Sequence, residues 1–97
     1  MATTRKQDLK AMAATLETWA GQIADLEAKA RTAGMERRRV MSAQIVDLRQ
    51  RRWAYEVQMA DTSGSTAAVF RDMQAAAGRM AEEFRKLYLT TASRFSE

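Results

Sequence analysis

The sequence has no cysteine, no histidine and no proline, and only four glycines. Without cysteine there is no disulfide framework and no thiolate that could act as a nucleophile or bind a metal ion. Without histidine, the most common general base and metal ligand is also missing. We therefore expect a protein that is not an enzyme, with no catalytic residues, no metal site, no cofactor and no small-molecule substrate.

Long apolar runs are also lacking, and no part of the chain carries charge of only one sign. No stretch approaches the roughly 20 apolar residues that a membrane span requires, and the first residues contain no apolar segment of signal-peptide length. The net charge is +4, from 16 basic and 12 acidic residues, and the mixture of signs is typical of a solvated helical surface. These features predict a cytoplasmic protein.

The abundant residues are the strong helix formers Ala, Leu, Met, Glu, Gln, Lys and Arg. Large apolar residues are sparse, with three Phe, two Trp and two Tyr, so a chain of this length buries only a modest core. The composition predicts an all-α fold, with residues 1–97 forming a single helical domain.

The clearest turn signal is the polar stretch DTSGST, which begins at Asp61. Near the start of the chain, Thr4 and Gln7 have the spacing of a capping box. The expected organisation is a helix over about 4–61, a turn at 61–65 and a helix over about 65–95.

Apolar residues recur at alternating spacings of three and four, which indicates heptad seams on the helices. In the first region the seam consists of Leu9, Met12, Leu16, Trp19, Ile23, Leu26, Ala30 and Ala33. After Gly34 the seam resumes one residue out of frame. A continuous helix can absorb this shift by a local change of supercoil, or the helix can end with Gly34 in a left-handed conformation.

We favour continuity at Gly34, because no good N-cap follows it and an interior glycine costs only about 1 kcal/mol. The predicted architecture is then a helical hairpin with a long first helix, forming an antiparallel coiled coil. The alternative is a three-helix bundle broken at Gly34.

In the hairpin, the shorter second helix covers only the half of the first helix nearest the turn. A bare apolar stripe then remains on the first half, and a second one on the far side of the later half, and both need partners. The predicted association residues are Leu9, Leu16, Trp19, Ile23, Leu26, Val46, Trp53 and Val57. The predicted hairpin core consists of Ile45, Leu48, Tyr55, Phe70, Met73, Met80, Phe84 and Leu87.

Arginines are concentrated in the middle of the chain, and Arg38, Arg49 and Arg52 share a face at helical spacing. A phosphate-bearing surface would attract such a face. Because Glu36, Asp47 and Glu56 lie close by, a solvated or salt-bridged surface is the preferred interpretation, and anion contact by the three arginines is the alternative.

Four segments resemble a group of short bacterial coiled-coil proteins: LETWAGQIADLEAKA at 16–30, QIVDLRQRR, SGSTAAVFRDM and the closing TASRF. These proteins have an L-x-x-W-x-x-x-I-x-x-L opening, a long charged helix, an SG turn and a similar tail, and are described as stress-associated or apolipoprotein-like coiled coils. The resemblance covers most of the chain and implies a bacterial origin and a helical hairpin.

We therefore predict a structural or interaction protein, made under stress, that self-associates through its heptad seams into a homodimer or higher oligomer. The alternative is a small basic protein that binds nucleic acid or an anionic membrane surface. The two are separable by salt, because phosphate binding falls steeply as salt rises.

Overall fold

The computed structural model describes residues 5–95, apart from the side chain of Phe95. It contains three helices, α1 (Arg5–Thr32), α2 (Met35–Ser63) and α3 (Ala67–Phe95), and no strand among the described residues. The predicted all-α class is confirmed. Thr4, the first residue of the predicted capping box, lies outside the described residues.

The structure corrects the prediction of one long helix over about 4–61, because the helix is interrupted at Gly34. Gly34 has extended backbone angles (φ −62°, ψ 158°), not the left-handed angles of a glycine that ends a helix. Its carbonyl accepts a hydrogen bond from the N–H of Arg38 at 2.8 Å and so begins α2. The architecture is therefore the alternative, a three-helix bundle.

The end of α1 is capped by a side chain from α2. Arg38 donates from Nε to the carbonyl of Ala30 at 3.1 Å, and from Nη2 to the carbonyls of Arg31 at 2.6 Å and Ala33 at 3.5 Å. The last carbonyls of a helix have no partner within the helix, and a cation near them is favoured by the helix dipole. Arg38 therefore stabilises the reversal of the chain after Thr32.

The second reversal lies slightly later than the predicted turn at 61–65. Helix α2 continues to Ser63 and α3 begins at Ala67. The N–H of Gly64 donates to the carbonyl of Asp61 at 3.3 Å, and the hydroxyl of Ser65 donates to the backbone carbonyl of Thr62 at 2.7 Å. The turn residues thus satisfy the carbonyl end of α2.

Two short connections make α2 antiparallel to both α1 and α3, so that α1 and α3 run parallel. The three helices form a body of 49 × 19 × 16 Å, with a Cα radius of gyration of 15.5 Å. Helix α2 is the central element, because it packs closely along both of the others.

Three aromatic rings, one from each helix, meet in the core. Trp19 stacks on Phe84 with ring centroids 4.0 Å apart, and contacts Tyr55 edge-on at 4.7 Å. All three side chains are buried, and such ring pairs add to the free energy gained by burial alone. The remaining buried residues of this cluster are Met12, Leu16, Ile23, Leu26, Ala30, Ile45, Leu48 and Ala77.

Candidate functional site

The main apolar feature outside the core is a stripe along α2, which we call the outer stripe. It consists of Ala43, Val46, Gln50, Trp53, Val57 and Ala60, all of which are exposed. Successive members are three or four residues apart, so they lie on one side of the helix. Trp53 is 67% exposed, Val46 47% and Val57 40%. Large apolar side chains this exposed are usual singly on a surface, but a row of them marks a contact surface.

The outer stripe is exposed because α2 has apolar residues on two sides and only one side faces the core. Ile45, Leu48 and Tyr55 are buried against α1 and α3. At about 100° per residue, the outer stripe lies roughly opposite the middle of that buried side. No segment among residues 5–95 is left to cover it, since both other helices already pack on the inner side.

Charged groups flank the outer stripe on the side that faces α1. Arg49 forms an ion pair with Glu27 of α1, and its side chain remains 54% exposed. One heptad later, Glu56 is 53% exposed, and the ion pair that it makes, with Arg52, is long at 4.0 Å. On the α3 side, Asp47 pairs with Arg51 at 3.3 Å. Salt-bridged pairs this exposed contribute little to stability.

The apolar residues of α1 that were predicted to mediate association are instead part of the chain's own core. Leu16, Trp19, Ile23 and Leu26 are buried, and Leu9 packs against the cluster partly buried. The prediction assumed a helix running straight through Gly34, which would leave these residues bare. Because α1 folds back along α2, they need no partner chain.

The residues predicted as the hairpin core occupy two different environments. Ile45, Leu48, Tyr55 and Phe84 are buried, and Met80 and Leu87 are partly buried against them. Phe70 and Met73 are only partly buried. Phe70 lies near the start of α3, where the guanidinium of Arg5 stands over its ring at 4.6 Å. The core therefore draws on α1 as well as on α2 and α3.

The three arginines predicted as anion contacts all reach towards α1. Arg38 caps α1, Arg49 pairs with Glu27, and Nε of Arg52 donates to the carbonyl of Leu16 at 3.3 Å. A shallow groove of about 300 Å³ between the end of α1 and the start of α2 is lined by Arg31, Arg38 and Arg49, together with Glu27 and Ser42. The structure thus brings two of the predicted arginines, Arg38 and Arg49, together in one groove and assigns all three a contact within the chain.

The perturbed titratable group of the core is Tyr55. Burial raises the pKa of its hydroxyl above the ordinary value of 10.0, and a hydrogen bond with the Thr15 side chain lowers the pKa in part. Both effects follow from its position beside Trp19, under α1. Tyr55 is enclosed by the bundle, and we assign it a structural role.

Sequence reasoning identified Val46, Trp53 and Val57 of the outer stripe and missed two features. Gln50 and Ala43 complete the stripe, and their spacing of three and four from its other members is the signal that finds them. The capping by Arg38 has no such signal, because its side chain reaches carbonyls five to eight residues back in the sequence, outside the three-and-four spacing of one helix face.

Among residues 5–95, no three His, Cys, Asp or Glu side chains are grouped where they could hold a metal ion. None of the described helices combines the length and apolarity needed to traverse a bilayer. Comparisons of the chain with protein-family models, with curated proteins and with solved structures found no match. The relationship to short bacterial coiled-coil proteins therefore stays a prediction.

Proposed function

We propose that the protein is a non-enzymatic interaction protein that self-associates through the outer stripe of α2. The observation that carries this proposal is the exposure of Val46, Trp53 and Val57 in one row, on a helix whose opposite side is already packed. The proposal differs from the sequence-based hypothesis in its contact surface. It keeps Val46, Trp53 and Val57 from the predicted association residues and leaves out those of α1, which are buried in the core or packed against it.

The physical reason is the free energy of covering the row. Full burial of a large apolar side chain stabilises by roughly 1.5–3 kcal/mol relative to full exposure. Trp53 retains two thirds of its exposure, and tryptophan is among the residues that most often dominate the binding energy of protein interfaces. The pattern of the stripe also supports a helical partner, because its three-and-four spacing matches a coiled-coil seam.

Light scattering on a sizing column tests this function. At high micromolar concentration we expect the wild type to elute with at least twice the chain mass of 10.9 kDa. The double variant Trp53→Ala/Val57→Ala is expected to elute at the mass of one chain. A matched control is Leu89→Ala, which removes an exposed apolar side chain (51%) from α3 and should leave the mass unchanged. A wild type that elutes as a single chain at this concentration would contradict the proposal.

The second candidate function is binding of nucleic acid or an anionic membrane surface, and the groove with Arg31, Arg38 and Arg49 favours it. Binding through these arginines has to compete with their contacts to α1. A titration with duplex DNA, RNA or anionic vesicles at low salt and at about 0.5 M salt separates the two functions, because phosphate contacts weaken steeply with salt and apolar association does not. Production under stress, which the resemblance implies, remains a prediction.

A further inference from the structure

We propose that the occupant of the outer stripe is the same stripe of a second copy in antiparallel orientation, so that two α2 helices pair about a two-fold axis. This inference rests on the proposed function and adds the partner, the orientation and the register to it. It follows from which residues would meet across such a pair and from the charges beside them.

One antiparallel register matches the side chains of the stripe by size. Val46 then lies opposite Val57 of the second copy, and the small Ala43 opposite the small Ala60. The central layer places Trp53 beside Gln50, whose amide can accept a hydrogen bond from the indole N–H. A buried tryptophan usually has such a partner, and large residues pack best across from smaller or flexible ones.

The same register matches the charges. In an antiparallel pair of helices, the flank of one helix lies next to the same flank of the other. Arg49 and Glu56 lie on the same flank of the stripe, and the register above places Arg49 of each copy next to Glu56 of the other. Both side chains are about half exposed, and the ion pair of Glu56 with Arg52 is long. Two symmetric ion pairs therefore form at the edge of the contact.

The helix ends add a smaller argument. No basic residue lies in the last turn of α2, where a cation would be favoured by the helix dipole. Arg39 continues the stripe towards the start of α2, and in the antiparallel register it lies beside Gly64 of the second copy. Each copy thus provides a cation at the other's helix C-terminus.

The parallel orientation places unfavourable neighbours together. Each layer would then contain the same residue twice, with Trp53 against Trp53 and Gln50 against Gln50. On the flanks, Glu56 would face Asp61 of the other copy, and like charges in these positions destabilise a helix pair. The observed distribution of charge therefore selects the antiparallel orientation.

Cysteine cross-linking tests the orientation directly, because the wild type contains no cysteine. The variants Ala43→Cys and Ala60→Cys replace exposed residues at the two ends of the stripe. We expect a disulfide-linked dimer when the two variants are mixed and oxidised, and little or none from either variant alone. Circular dichroism checks that both variants keep the helical content of the wild type.

The other results distinguish this inference from the proposed function. Rapid cross-linking of each variant with itself would overturn the antiparallel orientation and leave self-association intact. A wild type that is dimeric by light scattering, with no cross-link in the mixture, would overturn the pairing of the outer stripe with itself. A wild type that remains a single chain would overturn both.

Charge reversal tests the register. Arg49→Glu and Glu56→Arg each place like charges at both symmetric contacts, and we expect each to weaken dimerisation by roughly tenfold. The double variant Arg49→Glu/Glu56→Arg should restore most of the affinity. A matched control is the reversal of Arg85 and Glu82, an exposed pair on α3, which should have no effect. Failure of the double variant to recover affinity above either single variant would overturn the register.

Discussion

The two tryptophans of this protein lie in opposite environments, although each sits in an apolar row on a helix. Trp19 is 6% exposed and lies between Tyr55 and Phe84, whereas Trp53 is 67% exposed on the outer side of α2. The difference teaches that periodicity identifies which side chains share a face of a helix. It does not identify which face the rest of the chain will cover.

The position of α2 between its neighbours explains the contrast. Helix α1 turns its apolar row to the centre of the bundle, and so does α3. Helix α2 packs against both neighbours with one side, which leaves its second apolar row without a partner among residues 5–95. We therefore assign the inner row to folding and propose the outer row for association.

The largest expected effect is on the inner tryptophan. Trp19→Ala removes a stacked ring and leaves a cavity, so we expect the free energy of unfolding to fall by about 3–5 kcal/mol. Trp53→Ala is the matched control, and its effect should stay within about 0.5 kcal/mol because the side chain is exposed. Urea unfolding followed by circular dichroism, at a dilution where the protein is a single chain, measures both. Equal losses would abolish the distinction between the two tryptophans.

A smaller effect is expected from Arg38, which caps the end of α1. Arg38→Ala leaves the carbonyls of Ala30 and Arg31 without their charged donor, and we expect a loss of about 1–2 kcal/mol by the same urea unfolding. The exposed Arg79 of α3 provides the control, since Arg79→Ala should cost well under 1 kcal/mol. An Arg38 variant as stable as the wild type would show that packing alone folds α1 back.

The stability of the bundle is also expected to fall at alkaline pH, because Tyr55 is buried in its core. Because burial raises the pKa of Tyr55 above 10.0, the folded protein holds this proton more tightly than the unfolded chain does. The contribution of this raised pKa to the free energy of unfolding is fully present below about pH 10. It is lost as the pH rises from there through the folded-state pKa of Tyr55. Tyr55→Phe should reduce the fall in urea midpoint between about pH 9 and 11. The same fall in Tyr55→Phe as in the wild type would contradict this assignment.

The smallest expected effect is a difference in fluorescence quenching between Trp19 and Trp53, and its measurement needs only conservative substitutions. Acrylamide should quench Trp53 strongly in the Trp19→Phe variant and quench Trp19 weakly in the Trp53→Phe variant, since the quencher must contact the ring. At higher protein concentration, self-association through the outer stripe should lower the quenching of Trp53 and leave that of Trp19 unchanged. Similar quenching of both rings in dilute protein would mean that acrylamide reaches Trp19, and would contradict the burial of this ring in the core.

Much of the fold was predictable from local pattern, with one important exception at Gly34. The helical regions, the reversal after Asp61 and the apolar row with Val46, Trp53 and Val57 all follow from spacing and turn residues. The sequence favours a continuous helix at Gly34, with a break as the alternative, because no good N-cap follows it. In the structure α2 does begin without a side-chain cap, since its N-cap residue is Gly34. The interruption is stabilised instead by Arg38, which caps the end of α1. A contact between residues eight apart in sequence, such as Arg38 to Ala30, leaves no periodic signal.

The amino-acid pattern alone established that the chain is helical, that its helices carry apolar rows and which residues make up each row. These are properties of nearest neighbours along a helix, because side chains three and four residues apart share a face. The partner of each row was settled by the folding of the whole chain. Once α1 folds back, its row is covered by α2 and α3, and the row left exposed is the one on the far side of α2. That outcome depends on the geometry of three helices around one core, in which the central helix turns only one side inward.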